Sequence, residues 1–364
     1  MSFRRMYANL FNIARVRLCT SVGLKLRLHA TEFLHSGRVY STKEPGLKEK
    51  VLGVSNRQYR NILTASGTFG VGFALFYFLS PLFDDDRLNP EDFIKVKLVS
   101  KKQLTPETTL YRFQYSDSSS LAQESNFPVI SHVHVKDHTM QIMRPYTTIP
   151  VMSETLVDEK DITGLTNRSP TIDLAVKKYP QGPMSNFLSQ IAIGGEIEMR
   201  GPYQTWSYIP NQYRLLTMIA AGTGIAPFYQ LVHSALQEKA SSKDKTRFSL
   251  IYYSHDPENI IFKDELLELQ KRFPERLNIV FSLTGTDDLT IQQEGFAKGR
   301  VSYSQLAELL KRDRFNPLDS KVLVCGPDGF LRNVCGQKAP DDSQGPVTAI
   351  LGHMGLDAAS VFKL

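Results

Sequence analysis

Cysteine is scarce in this 364-residue sequence, which contains only Cys19, Cys325 and Cys335. Three cysteines are too few for a disulfide scaffold, and no two of them are spaced as Cys-x-x-Cys, so zinc ribbons and thioredoxin-type redox motifs are excluded. The composition, with 41% hydrophobic and 22% charged residues, also excludes disordered, collagen-like and polytopic membrane proteins. We therefore expect a globular protein with a hydrophobic core. Its length suggests two folded domains and one additional segment.

Acidic residues are absent from the first 30 positions. Apolar residues recur there at roughly helical spacing between six basic residues, Arg4, Arg5, Arg15, Arg17, Lys25 and Arg27. A basic, acid-free, amphipathic N-terminus is typical of a mitochondrial transit peptide, which we assign to residues 1–45. The lack of a compact apolar run excludes a secretory signal. The alternative is a basic tail that binds a membrane surface.

The positive charge of the protein is concentrated in this leader. Residues 1–61 hold 12 of the 43 Lys and Arg and three of the 37 Asp and Glu, which leaves a net charge of −3 for the rest of the chain. The overall charge of +6 is therefore no indication that the folded part binds nucleic acid. We expect no nucleic-acid partner.

One long uncharged stretch runs from Ile62 to Leu79. As a helix it would span roughly 27 Å, close to the thickness of a bilayer core, so we predict a transmembrane helix over residues 62–80. Arginines precede the stretch, and three aspartates, Asp84 to Asp86, follow it. This asymmetry predicts that the basic side faces the mitochondrial matrix and that the following residues face the intermembrane space. The alternative is a buried core helix.

The pattern of the remaining sequence changes near residue 210. Residues 90–208 contain short runs of β-branched and aromatic residues, which predict a small antiparallel β-barrel. Residues 212–364 alternate apolar strand-like runs with helical runs, which predict a parallel sheet covered by helices. Polar segments at 116–126 and 151–170 are interpreted as loops. The predicted fold class is thus a transmembrane helix, an antiparallel β-barrel and an α/β parallel-sheet domain.

Two motifs of the first domain suit a phosphate-bearing ligand. The motif Arg144-Pro145-Tyr146-Thr147 ends a predicted strand, and a guanidinium can bind a diphosphate with two hydrogen bonds. The second motif, Gly182-Pro183-Met184-Ser185, follows Lys177 and Tyr179 and opens an apolar helix, whose free backbone N–H groups favour an anion. Taken alone, the first motif is also typical of a surface turn and the second of an ordinary capped helix.

Two motifs of the second domain follow predicted strands. Ala221-Gly222-Thr223-Gly224-Ile225-Ala226-Pro227 forms a glycine-rich turn between a strand and a helix, which suits the pyrophosphate of a dinucleotide. It departs from the pattern Gly-x-Gly-x-x-Gly because Pro227 occupies the third glycine position. Cys325-Gly326-Pro327 ends a buried strand, and ligands of open α/β sheets bind beyond such strand ends. The alternative for Cys325 is a small buried hydrophobic residue.

In this order, the four motifs resemble those of the ferredoxin–NADP reductase superfamily, and in particular its NADH–cytochrome b5 reductase branch, over residues 92–364. The resemblance implies an FAD-binding barrel, an NAD(P)H-binding domain and hydride transfer from nicotinamide to flavin. It marks Thr147, near the flavin, and Cys325, near the nicotinamide, as candidate catalytic residues. The implied FAD-binding residues are Arg144, Pro145, Tyr146, Thr147, Lys177, Tyr179, Gly182, Pro183, Met184 and Ser185. The implied NAD(P)H-binding residues are Gly222, Thr223, Gly224, Pro227, Cys325, Gly326 and Pro327. The sequence departs from the family where Phe330 replaces a methionine.

A narrower resemblance lies in the C-terminal tail. Gly336-Gln337-Lys338, then Gln344-Gly345-Pro346-Val347, then the closing Val361-Phe362-Lys363-Leu364 resemble the fungal mitochondrial flavoproteins that assist haem attachment to cytochrome c. That family has a matrix-targeting leader, one membrane anchor and an FAD domain in the intermembrane space. The resemblance implies an inner-membrane location. It also implies haem, together with the cytochrome c maturation machinery or another haem protein, as partners.

Several alternatives stay open. The protein is either this reductase, a cytochrome-b5-type reductase of another haem protein, or a non-catalytic assembly factor that keeps FAD as structure. The sequence does not choose between NADH and NADPH, although Asp256 is placed to bond a ribose hydroxyl. His132 and His134 fall on one strand face, but with His138 they lack a fourth ligand, so we expect no metal. We expect Cys325 and Cys335 to be free thiols.

Overall fold

The computed structural model describes six stretches of the chain, residues 88–115, 127–137, 142–150, 170–236, 243–285 and 296–364. The predicted transit peptide at 1–45 and the predicted membrane span at 62–80 lie outside these stretches, as do the predicted loop at 116–126 and nearly all of that at 151–170. No helix within the six stretches is long and apolar enough to cross a bilayer. Residues Asp85–Leu364 form one unit.

The first part of this unit is a closed barrel of six antiparallel strands in the order β1-β2-β5-β4-β3-β6. The strands are β1 (Ile94–Thr105), β2 (Thr108–Gln114), β3 (Ser131–Asp137), β4 (Ile142–Ile149), β5 (Thr171–Lys177) and β6 (Glu196–Gln204), with helix α1 (Pro183–Gln190) before β6. Alternate residues of β1 are buried from Ile94 to Leu98, because successive strand side chains point to opposite faces. The predicted antiparallel barrel is confirmed.

The second part is a six-stranded parallel sheet in the order β10-β9-β8-β7-β11-β12. Its strands are β7 (Leu215–Ala221), β8 (Arg247–Ser254), β9 (Leu277–Leu283), β10 (Ala297–Lys298), β11 (Ser320–Cys325) and β12 (Val361–Lys363). Its helices are α2 (Ala226–Ala235), α3 (Lys263–Arg272), α4 (Tyr303–Arg312), α5 (Asp328–Val334) and α6 (Ala349–His353). The predicted alternation of strands and helices around a parallel sheet is confirmed.

The barrel and the sheet share one hydrophobic cluster. Four barrel residues, Leu110, Ile130, Ile149 and Ala175, belong to the same buried cluster as side chains of β7, α2 and β8. A buried polar side chain crosses the same junction. The amide of Gln230 on α2 accepts a hydrogen bond from the Ser131 backbone N–H at 2.9 Å, and donates one to the Thr148 hydroxyl on β4 at 2.9 Å. These contacts fix β4 against the helix that follows the glycine-rich turn.

Candidate functional site

Strand β4 presents the Arg-Pro-Tyr-Thr motif on the barrel. Arg144 and Pro145 are exposed, whereas Tyr146 and Thr147 are half-buried. The Arg144 guanidinium donates one hydrogen bond to the Met143 carbonyl at 2.8 Å, and no carboxylate in the described ranges forms an ion pair with it, so its other N–H groups are available to a ligand. Burial raises the pKa of Tyr146 to about 12, so its phenol stays neutral. A cation and a neutral ring thus stand side by side.

The second barrel motif forms a tight turn into α1. Gly182 is the N-cap residue and contributes no side-chain cap, so helix N–H groups are left without a capping side chain. A Cβ on Gly182 would lie 2.6 Å from Ser185 Oγ and 3.0 Å from Tyr179 Cβ, which leaves room only for glycine. Ser185 Oγ itself accepts a hydrogen bond from the Tyr179 backbone N–H at 3.1 Å. Met184 and Ser185 are buried, so they can offer a ligand their backbone N–H groups rather than their side chains.

These features fit FAD. The unpaired Arg144 guanidinium and the uncapped start of α1 suit the two negative charges of the diphosphate. The half-buried Tyr146 ring suits an aromatic neighbour, and the Tyr179 side chain is 45% exposed, so it is also accessible to a ligand. The residues present can therefore hold FAD against β4 and α1.

Lys177 differs in its surroundings from the other predicted FAD residues. Its ammonium forms an ion pair with Glu107 at 2.6 Å. Together with Thr108 it lines the cleft that leads to the parallel sheet. Lys177 therefore lines the cleft from the barrel side, and the Glu107 carboxylate partly neutralises its charge.

The glycine-rich turn packs directly on the end of β11. Residues Gly222–Ile225 form a 3-10 turn after β7, and Gly222 has a φ of +54°, a conformation that glycine adopts readily. A Cβ on Gly224 would lie 2.5 Å from the Cys325 carbonyl carbon and 2.7 Å from the Gly326 nitrogen. The two predicted NAD(P)H motifs are therefore in contact, and this contact requires a residue without a side chain.

The rest of the turn is fixed by neighbouring elements. Tyr252 on β8 is buried, and its hydroxyl donates to the Gly222 carbonyl at 3.0 Å. Thr223 is half-buried, and Pro227 lies in the first turn of α2. The predicted members of this turn are thus held at the carboxyl end of β7, where a dinucleotide pyrophosphate would meet a helix start.

The Cys-Gly-Pro motif ends β11. Burial raises the pKa of the Cys325 thiol to about 12, so the thiol stays protonated and is a poor nucleophile. A Cβ on Gly326 would lie 2.7 Å from the Phe330 ring and 3.2 Å from the Ala221 side chain. Pro327 is the N-cap residue of α5. Cys325 and Cys335 are both free thiols, as expected.

A cleft of about 560 Å³ opens over the carboxyl ends of these strands. Its lining includes Gly222, Ser254, His255, Arg300, Pro327 and Phe330. Within the described part of the chain no carboxylate lines it. Asp256, a candidate ribose ligand, instead accepts hydrogen bonds from the backbone and side chain of Asn259 at 2.9 Å. Glycine turns, an open cleft and two cationic side chains (Lys177 and Arg300) fit NAD(P)H.

His132 and His134 lie on one face of β3, as alternation predicts, with ring centroids 5.2 Å apart. Both rings also contact that of Tyr203. Burial, together with the charges of His134 and Lys338, lowers the pKa of His132 to about 4. In the part of the chain that the structure describes, no group of three or more His, Cys, Asp or Glu side chains could hold a metal ion. His138 lies outside that part.

The tail motifs have structural partners. The side chain of Gln344 accepts a hydrogen bond from the Lys363 backbone N–H at 2.7 Å and donates one to the Lys363 carbonyl at 3.0 Å. The Gln344 side-chain amide therefore satisfies both backbone hydrogen-bonding groups of Lys363 on the edge strand β12. Lys363 is 1% exposed, which sequence reasoning did not anticipate.

Sequence reasoning also missed Gln230. A single glutamine within an apolar helical run has no local signature, since its hydrogen-bond partners lie 82 and 99 residues away in sequence. Phe330 occupies the position at which the family resemblance implies a methionine. Its ring contacts that of Tyr253, with centroids 5.6 Å apart, and fills one wall of the cleft.

Comparisons with known proteins match both domains of the fold. The family "Oxidoreductase FAD-binding domain" matches residues 95–208, and "Oxidoreductase NAD-binding domain" matches residues 218–336. An NADH-cytochrome b5 reductase-like protein of Arabidopsis thaliana is 30% identical over 280 residues, which cover 76% of this chain and 78% of that protein. The chain belongs to the NADH–cytochrome b5 reductase family. It is an FAD- and NAD(P)H-dependent oxidoreductase.

Other relatives extend the similarity. An NADH-cytochrome b5 reductase 2 of Neosartorya fischeri is 28% identical over 338 residues, which cover 90% of this chain and 94% of that protein. The cytochrome b5 reductase domain of Ulva prolifera nitrate reductase aligns with a TM-score of 0.57 at 22% identity, over 76% of this reductase and 99% of that chain. The structural match supports the barrel-plus-sheet fold of the reductase.

Proposed function

We propose that this reductase is anchored in the mitochondrial inner membrane, faces the intermembrane space, and uses NADH to supply electrons for haem attachment to cytochrome c. The basic leader and the uncharged segment Ile62–Leu79 support the location. The tail motifs support the narrower role. The names of the relatives support NADH as the donor.

The chain's own residues position the two cofactors. Arg144 and the N-terminus of α1 would hold the FAD diphosphate, and Tyr146 would lie beside the cofactor. The turn at Gly222–Ile225 would bind the nucleotide pyrophosphate. Pro327, which lines the cleft at the end of β11, and Cys325, two residues before it, would lie beside the nicotinamide. When both groups are bound, the nicotinamide supplies a hydride, and the flavin accepts two electrons and releases them one at a time. One-electron release suits a haem iron, which must be ferrous for attachment.

One structural observation gives the main support for the proposed reductase activity. The glycine turn and the Cys-Gly-Pro turn touch under one cleft, and the wall of that cleft includes Thr108 and Lys177 from the barrel. Lys177, one of the predicted FAD residues, therefore borders the nucleotide cleft, and this proximity supports direct hydride transfer between the two halves of the site.

The chemical part is tested by anaerobic titration of the purified, detergent-solubilised full-length protein. NADH should bleach the bound flavin, and subsequent addition of ferric haem should restore its absorbance with formation of ferrous haem. A flavin that stays oxidised in excess NADH and NADPH would refute the reductase activity and favour a flavin kept as structure.

The cellular part is tested in mitochondria. Loss of the gene should lower the covalent haem content of cytochrome c, and Gly224→Trp, which blocks the nucleotide turn, should not restore it. Full rescue by that variant would contradict the proposal. Protease added to swollen mitochondria with intact inner membranes should digest the domain, and complete protection would place it in the matrix.

The second candidate is reduction of another haem protein of the cytochrome b5 type. The similarity to NADH-cytochrome b5 reductases favours it. Normal cytochrome c in the deletion strain, combined with rapid reduction of a cytochrome b5 by the purified protein, would select this candidate.

A further inference from the structure

A second cavity lies at the edge of the parallel sheet opposite to the nucleotide cleft. Arg214 directly precedes β7, Arg247 is the first residue of β8, and Asp319 directly precedes β11, so the cavity lies at the amino ends of these strands. A seven-residue strand such as β7 is about 20 Å long, which separates this cavity from the nucleotide cleft at the carboxyl ends. The arginine cavity, as we name it, has a volume of about 530 Å³ and is lined by Arg214, Arg247, Arg312, Arg314, Asn316 and Asp319.

Hydrogen bonds fix the four arginines relative to one another. The Arg247 backbone N–H donates to the Arg214 carbonyl at 3.0 Å. The Arg214 guanidinium donates to the Arg314 carbonyl at 2.6 Å. The Arg312 guanidinium, at the end of α4, donates to Ser249 Oγ on β8 at 3.4 Å. The cationic side chains thus come from three segments of the chain that the folded sheet brings together.

Two of the arginines are neutralised by carboxylates. Arg214 forms an ion pair with Asp319 at 2.8 Å, and Arg312 forms one with Asp313 at 2.9 Å. A second N–H group of Arg214 donates to the other oxygen of Asp319 at 3.2 Å, so this pair is bidentate. These pairs hold two guanidiniums in place and add no net charge to the cavity.

The other two arginines, Arg247 and Arg314, keep their charge. Both are exposed, and their guanidiniums form no ion pair or hydrogen bond with a residue of the described stretches. The chain after residue 61 has a net charge of −3, so two free cations in one cavity do not reflect a generally basic domain. Like charges held in one cavity repel each other, and a bound anion would remove this repulsion. The cavity therefore suits an anion with two negative charges.

Arg314 occupies a backbone position where glycine is the usual residue. Helix α4 ends with Asp313 as its C-cap residue, and Arg314 follows with a φ of +53°. Helices commonly end with a residue in this left-handed conformation, and that residue is usually glycine because it has no Cβ. The turn itself does not require arginine, whose side chain lines the cavity.

The arginines indicate a phosphate ligand. A guanidinium is a planar fork that binds phosphate oxygens with two parallel hydrogen bonds. A phosphate monoester carries about two negative charges at neutral pH, which matches the two unpaired arginines. The side chain of Leu318 is 93% exposed, and its backbone N–H donates to Asn316 Oδ1 at 3.2 Å, which places Leu318 beside the cavity lining. An exposed apolar side chain next to cations is suited to a phosphate that carries an acyl chain.

We propose that the arginine cavity binds a phosphate monoester, with Arg247 and Arg314 as the residues that neutralise its charge. The phosphate belongs either to a soluble molecule or to the headgroup of an anionic phospholipid, and the two guanidiniums bind it in the same way in both cases. The site is separate from the FAD and NAD(P)H sites, so the inference does not depend on the electron acceptor.

The test measures binding of two matched probes by calorimetry. The full-length, FAD-loaded protein in neutral detergent is kept in excess NAD⁺, so that the nucleotide cleft is occupied. The probes are glycerol 3-phosphate and dihexanoyl phosphatidic acid, which present the same phosphate monoester without and with acyl chains. We expect binding of at least one probe, and weaker binding by about tenfold or more when Arg247→Gln and Arg314→Gly are combined. Higher salt should also weaken binding.

The two probes distinguish the sources of the phosphate. Equal affinities for both would assign the site to a soluble phosphate. Tighter binding of phosphatidic acid, reduced to the affinity for glycerol 3-phosphate by Leu318→Ser, would assign it to a phospholipid headgroup.

Lys311→Gln is the matched control, because Lys311 is exposed in the last turn of α4 and does not belong to the cavity lining. It should leave both affinities unchanged. If the double variant melts at a lower temperature than the wild type, Arg314→Gly alone decides the question, since glycine suits the backbone at that position. Absence of binding of both probes, or equal binding by the wild type and Arg314→Gly, would overturn the proposal.

Discussion

Substitution of Gly224 by alanine should damage the nucleotide half of the site and spare the flavin half. The new Cβ would lie 2.5 Å from the Cys325 carbonyl carbon and 2.7 Å from the Gly326 nitrogen. Both atoms belong to backbone at the end of β11, which cannot rotate away as a side chain would. Overpacking of this kind destabilises by about 1–3 kcal/mol. Because β7 and β11 must separate to relieve it, we expect the turn to lose its fit to the pyrophosphate.

The assay measures three quantities on the same preparations: FAD per protein, the NADH dissociation constant, and the melting temperature. Gly224→Ala should keep its FAD, bind NADH at least tenfold more weakly, and melt at lower temperature. Gly329→Ala is the control, because a Cβ at Gly329 meets nothing within 4 Å and alanine favours the helix by about 0.5–1 kcal/mol. A Gly224→Ala variant with the wild-type NADH affinity and melting temperature would refute the close contact between the two turns.

Three other predictions follow from described contacts. Gln230→Leu leaves the buried Ser131 N–H without its hydrogen-bond partner and should lower the free energy of unfolding by about 1–3 kcal/mol. The same variant should reduce its flavin with NADH more slowly at unchanged FAD content, as measured by stopped-flow absorbance. The pKa of His132 is about 4 in the folded protein and about 6.5 in the unfolded chain. The contribution of His132 to the free energy of unfolding is therefore complete above pH 6.5 and is lost as the pH falls towards 4. Urea unfolding at pH 7 and 4.5 should show this loss, about 1–2 kcal/mol after allowance for partial exposure, and His132→Gln should remove it. Arg300→Glu should weaken NADH binding, measured by calorimetry, because this cation lines the cleft and attracts the anionic pyrophosphate; an unchanged dissociation constant would argue against binding of the nucleotide in this cleft.

Much of the fold could be predicted from the sequence, because its signals are local. The run from Leu215 to Ala235 contains an apolar strand, two glycines and an apolar helix in direct succession, and the structure shows β7, the 3-10 turn and α2. The segment from Ser131 to Thr147 was less clear, because β3 and β4 follow each other closely with alternating residues throughout. In the structure, β3 ends at Asp137 and β4 begins at Ile142.

The candidate site was predicted only as separate motifs. Spacing in the sequence indicated a glycine turn and a Cys-Gly-Pro turn, but it could not show that Gly224 touches Cys325, since 101 residues separate them and β8 to β10 intervene. Lys363 could not be predicted as buried, because lysine is almost always exposed. Its burial depends on two carbonyl groups that only the folded tail brings together.

The cluster shared by the barrel and the sheet bears on how this enzyme can be dissected. Leu110, Ile130, Ile149 and Ala175 are each at most 8% exposed because the sheet domain covers them. A barrel expressed alone would expose these side chains to water as an apolar patch. The Ser131 N–H and the Thr148 hydroxyl would also lose their hydrogen bonds to Gln230. Such a fragment should self-associate. The two halves should melt in one cooperative transition, so that loss of the nucleotide half also releases the flavin.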